Sequence, residues 1–182
     1  MTKTRFVTGH DQAGSAILVR RDTLPDEEFL HSPGFSAALI WRTEPGATLA
    51  GPEEEGAKPL ASVVPAPGGT SAMLVTFPPD HLMQSVDFDP EAAAEEMCAR
   101  LPGLGDLFEA DAPGFHRTDT IDYGVVLDGE VLLELDDGRT NLLRQGDIVI
   151  QMGTRHAWRN PGNTPARLLF VLVGAQRVSS TT

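Results

Sequence analysis

His116, Asp122 and His156 are the residues of this 182-residue chain whose types and spacing could do chemistry. Imidazoles and carboxylates move protons near neutral pH and ligate transition metals, whereas a neutral threonine hydroxyl is a poor ligand. His116 stands in Gly114-Phe-His116-Arg-Thr118-Asp-Thr120-Ile-Asp122. Side chains alternate faces along a strand, so His116, Thr118, Thr120 and Asp122 share one face if the strand is unbroken. In His156-Ala-Trp158-Arg-Asn160 the same alternation puts His156, Trp158 and Asn160 together. Asp119 is a rival carboxylate, but its parity turns it away unless a bulge intervenes. Tyr123 also faces away, and Arg117, Arg155 and Arg159 fall out of phase and read as outer-face charges. A lone histidine on a strand is usually structural; His10, His31 and His81 join no pattern and read as surface or packing residues.

Short strands with glycine turns must position these groups. Apolar, β-branched runs predict strands over 123–127, 130–135, 141–143, 147–151 and 167–173, with Asp137-Gly138 as a tight hairpin turn. Such spacing suggests an antiparallel sandwich or jelly roll. Upstream, 15–19, 35–43 and 71–77 have the length and residue types of strands, and 44–70 reads as a long exposed loop carrying the acidic run 53–55. One helix is expected. Asp89 is its N-cap, Pro90 its first residue, Glu91 complements the dipole, and Pro102-Gly103 ends it. Its stripe of Ala93, Met97 and Leu101 suits packing over a sheet better than a cofactor role.

The segments from Gly114 to Gly129 and from Gly146 to Asn160 resemble the paired motifs of the cupin superfamily. The spacings from Asp122 to Gly129 and from His156 to Asn160 match that pattern, and Gly153 stands three residues before His156. The resemblance covers residues 111 to 175. It implies a mainly β chain, a single cupin double-stranded β-helix (an RmlC-like jelly-roll barrel) with added N-terminal strands and one short helix. Segment by segment, 1–88 is expected to extend the barrel or a dimer interface, 89–110 to be helix and linker, 111–177 the barrel core, and 178–182 a tail. The N-terminal half lacks a second copy of the motifs, which argues against a two-barrel arrangement.

In cupins two histidines and a glutamate of the first motif, with one histidine of the second, hold a divalent metal. Carried over, His116, Asp122 and His156 are the metal ligands, with Thr118 where a second histidine would stand and Asp122 where glutamate would. Two imidazoles and one carboxylate can cap one face of an octahedral ion, which favours Fe(II), with Zn, Mn, Ni and Co as competitors. Asp122 is one methylene short of glutamate and acts either directly or through water. Thr118, Thr120 and Trp158 are expected to line the substrate pocket, Trp158 equally suiting the core. Gln151 replaces the usual proline of the second motif and loosens its turn, and Asn160 is expected to stabilise a turn. The resemblance implies oxygenase, decarboxylase, isomerase or lyase chemistry on a small organic molecule. The missing fourth ligand tilts this towards a metal-dependent oxidoreductase of dioxygenase type. The rivals are a metal-free small-molecule binder and metal-independent acid/base catalysis by a histidine.

Composition bounds the partners. A net charge of -12 disfavours nucleic acid and anionic membrane surfaces. A single cysteine, Cys98, excludes an internal disulfide framework and suits the cytoplasm, where it reads as a small buried hydrophobe. No signal-peptide-like core or membrane-length apolar run is present. Cupins commonly pair through sheet edges, so a homodimer is expected.

Overall fold

A computed structural model of the chain describes residues 3–49, 60–86 and 88–178. Among these, strands β1 (Thr4–His10) and β2 (Ala16–Thr23) pair as an isolated antiparallel hairpin. Strands β3 (Ser36–Thr43) and β4 (Thr70–Phe77) precede helix α1 (Pro90–Arg100). Then follow β5 (Thr120–Asp128), β6 (Glu130–Glu134), β7 (Thr140–Arg144), β8 (Ile148–Met152), β9 (Ala157–Arg159) and β10 (Ala166–Gly174). One sheet runs β3-β4-β10-β5-β8 and the facing one β7-β6-β9, every pairing antiparallel. This is the expected mainly β jelly roll. The upstream strands β3 and β4 complete its larger sheet.

Alternation explains how the barrel closes. In β10, Ala166, Leu168, Phe170 and Leu172 are buried while the residues between them are only partly so. They pack with Val126, Val131, Met73 and Val75, and burying each large aliphatic stabilises the fold by roughly 2 kcal/mol. The inward positions of β5 are Thr120, Asp122, Gly124 and Val126. Its interior face therefore changes from apolar to polar towards the strand's start. Gly124 sits at that change because a Cβ there would lie 2.7 Å from a Val149 methyl.

The turn at Asp137-Gly138 has both residues at positive φ, 61° and 67°, as the hairpin signal requires. In α1 the Asp89 side chain accepts from the Glu91 and Ala92 amides. Two expectations need revision. Positions 50–59 of the anticipated exposed loop lie outside the described residues, but the portion after them packs inward. Val63 is buried and donates its amide to the Pro102 carbonyl at 2.8 Å, and Leu60 and Val64 join the core. Strand β1 was not expected; its Arg5 is held by Asp22 across the hairpin and by the Ile40 carbonyl of β3. Among the described residues no helix is long and apolar enough to cross a membrane.

Candidate functional site

The two imidazoles meet because their backbones do. His116 and His156 form an isolated antiparallel bridge, each amide donating to the other's carbonyl, at 3.0 and 3.1 Å. Directly opposed residues project to the same face, and the ring centroids lie 4.4 Å apart. His116 Nδ1 is 3.2 Å from the Gly114 carbonyl and His156 Nδ1 is 2.9 Å from that of Thr154. A carbonyl only accepts, so Nδ1 carries the hydrogen in both rings and each Nε2 keeps its lone pair.

Both rings line a cavity of about 790 Å³ inside the barrel. Thr118, Asp122 and Trp158 line it too, so with His156 four of the five expected companions or ligands of His116 share its space, and Gln151 joins them. Thr120 does not line it. That residue is buried and its hydroxyl is paired with that of Thr118 at 2.6 Å, which makes it a support for the wall. Asp119 faces outward and accepts from Arg177, as parity requires. The remaining walls are largely aromatic or apolar. Trp158 packs against Phe77 and Phe170, with ring centroids 5.9 and 5.4 Å away. Met97 of α1 and Leu101 at its C-cap face the cavity, so the helix stripe forms part of the wall as well as packing on the sheet.

Burial sets the electrostatics. It pushes His156 down to about 4, helped by the neighbouring His116 and opposed by the bond to Thr154. Burial also lowers His116, against the Gly114 carbonyl and Glu109. Asp122 is raised to about 6 by burial, opposed by the Thr120 hydroxyl. Above neutrality the site thus holds two neutral imidazoles and a carboxylate.

Two residues, Arg159 and Gln151, behave differently from expectation. Arg159 lines the cavity, although parity made it an outer-face charge; Glu134 holds its Nε at 2.6 Å. Arg155 does lie on the outside, clamped by Glu109 and Asp136. Gln151 is 4% exposed, lines the cavity, and stands opposite Asp122 across β5 and β8. Its inward position follows from the alternation of its strand, whatever its effect on the turn. Asn160 stabilises its turn by accepting from Gly162 at 3.1 Å, and its amide nitrogen also donates to the Phe77 and Thr164 carbonyls.

The donor set can be tested against the metal that the fold suggests. Two neutral imidazoles with free Nε2 lone pairs fit a divalent transition ion. Asp122 Oδ1 is buried with no hydrogen-bond partner among the described residues, as a carboxylate facing a cation or a bound donor should be. Among the described residues no three His, Cys, Asp or Glu side chains are gathered into one metal-holding group. The histidine pair fits; Asp122 stands apart from it.

Barrel, paired motif strands and inward histidines define a cupin-type cavity. Residues 109–172 match the family model described as Cupin domain. The phomopsin biosynthesis cluster protein C' of Diaporthe leptostromiformis is 30% identical over 97% of this chain and 81% of its own length. The cupin-domain-containing oxidoreductase virC of Hypocrea virens is 38% identical over 35% of this chain and 34% of its own. Among solved structures, the cupin domain of Schizosaccharomyces pombe Cnp3 aligns with a TM-score of 0.46 at 10% identity, covering 94% of this chain and 87% of that one. The chain belongs to the cupin superfamily.

Proposed function

We propose that this protein is a cupin oxidoreductase that takes a small, largely apolar organic molecule into its barrel and transforms it beside a divalent metal ion. The observation that carries this reading is the His116–His156 pair, two opposed imidazoles at the polar end of an aromatic cavity. A bound divalent ion would act as Lewis acid or activate dioxygen, Fe(II) being favoured over Zn, Mn, Ni or Co. His116 and His156 would hold it, with the carbonyls of Gly114 and Thr154 fixing their tautomers. Asp122, set apart from the rings, would act through water. Thr118 presents a hydroxyl able to orient a polar substrate group, Trp158, Phe77 and Phe170 pack against its apolar body, and Met97 and Leu101 keep water away. Relatives described as oxidoreductases support that chemistry over decarboxylation, isomerisation or lyase activity.

A metal-free binding cupin is the second reading, favoured by the absence of a gathered third ligand among the described residues. We also propose a homodimer. Among the described residues β8 is one edge of its sheet, and Ile148, Ile150, Met152 and Tyr123 form an exposed apolar face there. Such an edge and face suit a second copy. The single cysteine supports a cytoplasmic setting.

The test is to reconstitute tag-free protein anaerobically with Fe(II) and screen small aromatic molecules for oxygen uptake and products. Turnover by the native chain and none by the His116→Ala, His156→Ala double variant is expected. Turnover that survives the double substitution, or no turnover of any compound, contradicts the proposal.

A further inference from the structure

Gln151 and Asp122 share a peculiarity that the metal reading does not use. They are register partners on β5 and β8, both face inward, and both line the cavity. They are 4% and 6% exposed. Yet among the described residues Gln151 Nε2 and Asp122 Oδ1 each lack a hydrogen-bond partner. Leaving a buried polar atom unpaired costs roughly 1 to 3 kcal/mol, so two adjacent orphans of opposite sense need a reason. One is a donor and the other an acceptor. Directly opposed residues in an antiparallel pair hold their Cβ atoms about 5 Å apart, close enough for one ligand group to meet both.

We propose that Gln151 and Asp122 form a substrate-recognition subsite for a neutral group presenting an acceptor and a donor on one edge, of which a lactam or other cis amide is the simplest. Gln151 donates to the ligand carbonyl, and Asp122 Oδ1 accepts from its N–H. A ligand carboxylate supplies no donor and meets the Asp122 charge, so the subsite rejects it. The aromatic cluster of Phe77, Trp158 and Phe170 then receives the ligand's apolar body. Proline at position 151 would offer no side-chain donor, so this chain's departure from the motif places the amide where the ligand needs it. The inference deepens the reading of the cavity as a small-molecule site and rests on it, but it requires no metal.

The experiment is calorimetric titration of the full chain at pH 7.5 with a chelator present, using isoquinolone, N-methylisoquinolone, benzoate and naphthalene. Isoquinolone is expected to bind, and its N-methyl form, which lacks the donor, to bind roughly tenfold more weakly. Gln151→Met and Asp122→Leu should each weaken isoquinolone by roughly five- to tenfold without weakening naphthalene, whose retained binding also shows that the variant cavities are folded. Gln151→Glu, which exchanges donor for acceptor, should weaken isoquinolone at least as much. Benzoate should not bind the native chain. If naphthalene binds but methylation and the Gln151 substitutions leave lactam affinity unaltered, or if benzoate binds as well as the lactam, the subsite is refuted and the cavity reading stands. Binding of none of the four refutes both.

Discussion

Replacing Asp122 by asparagine should change how stability depends on pH, in a direction set by where the carboxyl sits. Burial raises Asp122 to about 6, against about 3.9 for an exposed aspartate. The folded chain therefore holds a proton that the unfolded chain releases. A group raised on folding stabilises fully below its unfolded value and loses that contribution as pH rises through its folded one. A difference of about two pH units corresponds to about 3 kcal/mol. Asparagine mimics the protonated acid and never ionises. In urea titrations with a chelator present, the stability of Asp122→Asn relative to the native chain should climb by about 2 kcal/mol between pH 4 and pH 7 and then level off. His156 works in the opposite sense. Folding pushes it down to about 4, so its contribution is present above the ordinary histidine value and lost as pH falls towards 4. In the native chain the slopes from Asp122 and His156 largely cancel near pH 5, and the Asn variant should unmask the histidine slope as a steep loss on acidification. A stability difference between the two proteins that does not vary from pH 4 to 7 would refute the reasoning, because it would mean that Asp122 is as well solvated as in the unfolded chain.

Asn160→Leu removes one acceptor and two donor contacts from a buried side chain and leaves the Phe77 and Thr164 carbonyls without that partner, so it should cost about 3 kcal/mol in denaturant titration; a loss under about 1 kcal/mol contradicts the assigned role. Gly174→Ala places a Cβ 2.0 Å from the Ala66 carbonyl oxygen, whereas one at Gly138 meets nothing within 4 Å and suffers only its positive φ. Melting curves should show Gly174→Ala costing more than the roughly 1 kcal/mol expected at Gly138. Ile150→Lys puts a charge on the exposed apolar face of the β8 edge, and light scattering should show the native chain as a dimer and the variant as a monomer; a native monomer, or a variant that stays dimeric, removes that interface.

The fold was legible because its strands follow simple alternation and its turns carry the residues their geometry demands. Asp137-Gly138 and the cap at Asp89 behaved as their chemistry requires. Parity along one strand placed Thr118 and Asp122 inward and Asp119 and Tyr123 outward. What alternation could not give was the meeting of separate strands. The His116–His156 bridge is a long-range pairing with no local signal, and the pairing of Asp122 with Gln151 depends on β8 docking against β5 in one register. Arg159 escaped parity because β9 is only three residues long and a long side chain at its end can bend round to the cavity. Leu60, Val63 and Val64 were lost in a stretch dominated by proline and glycine, though their apolarity was the signal that they pack.

The proposed chemistry requires the two facing imidazoles to share one ion. Pulsed electron paramagnetic resonance of tag-free protein loaded with one Cu(II) per chain tests this directly. Modulation from two imidazole rings on a single ion, reduced to one ring in either single alanine variant at His116 or His156, is the predicted result. A native signal with one imidazole or none would contradict it.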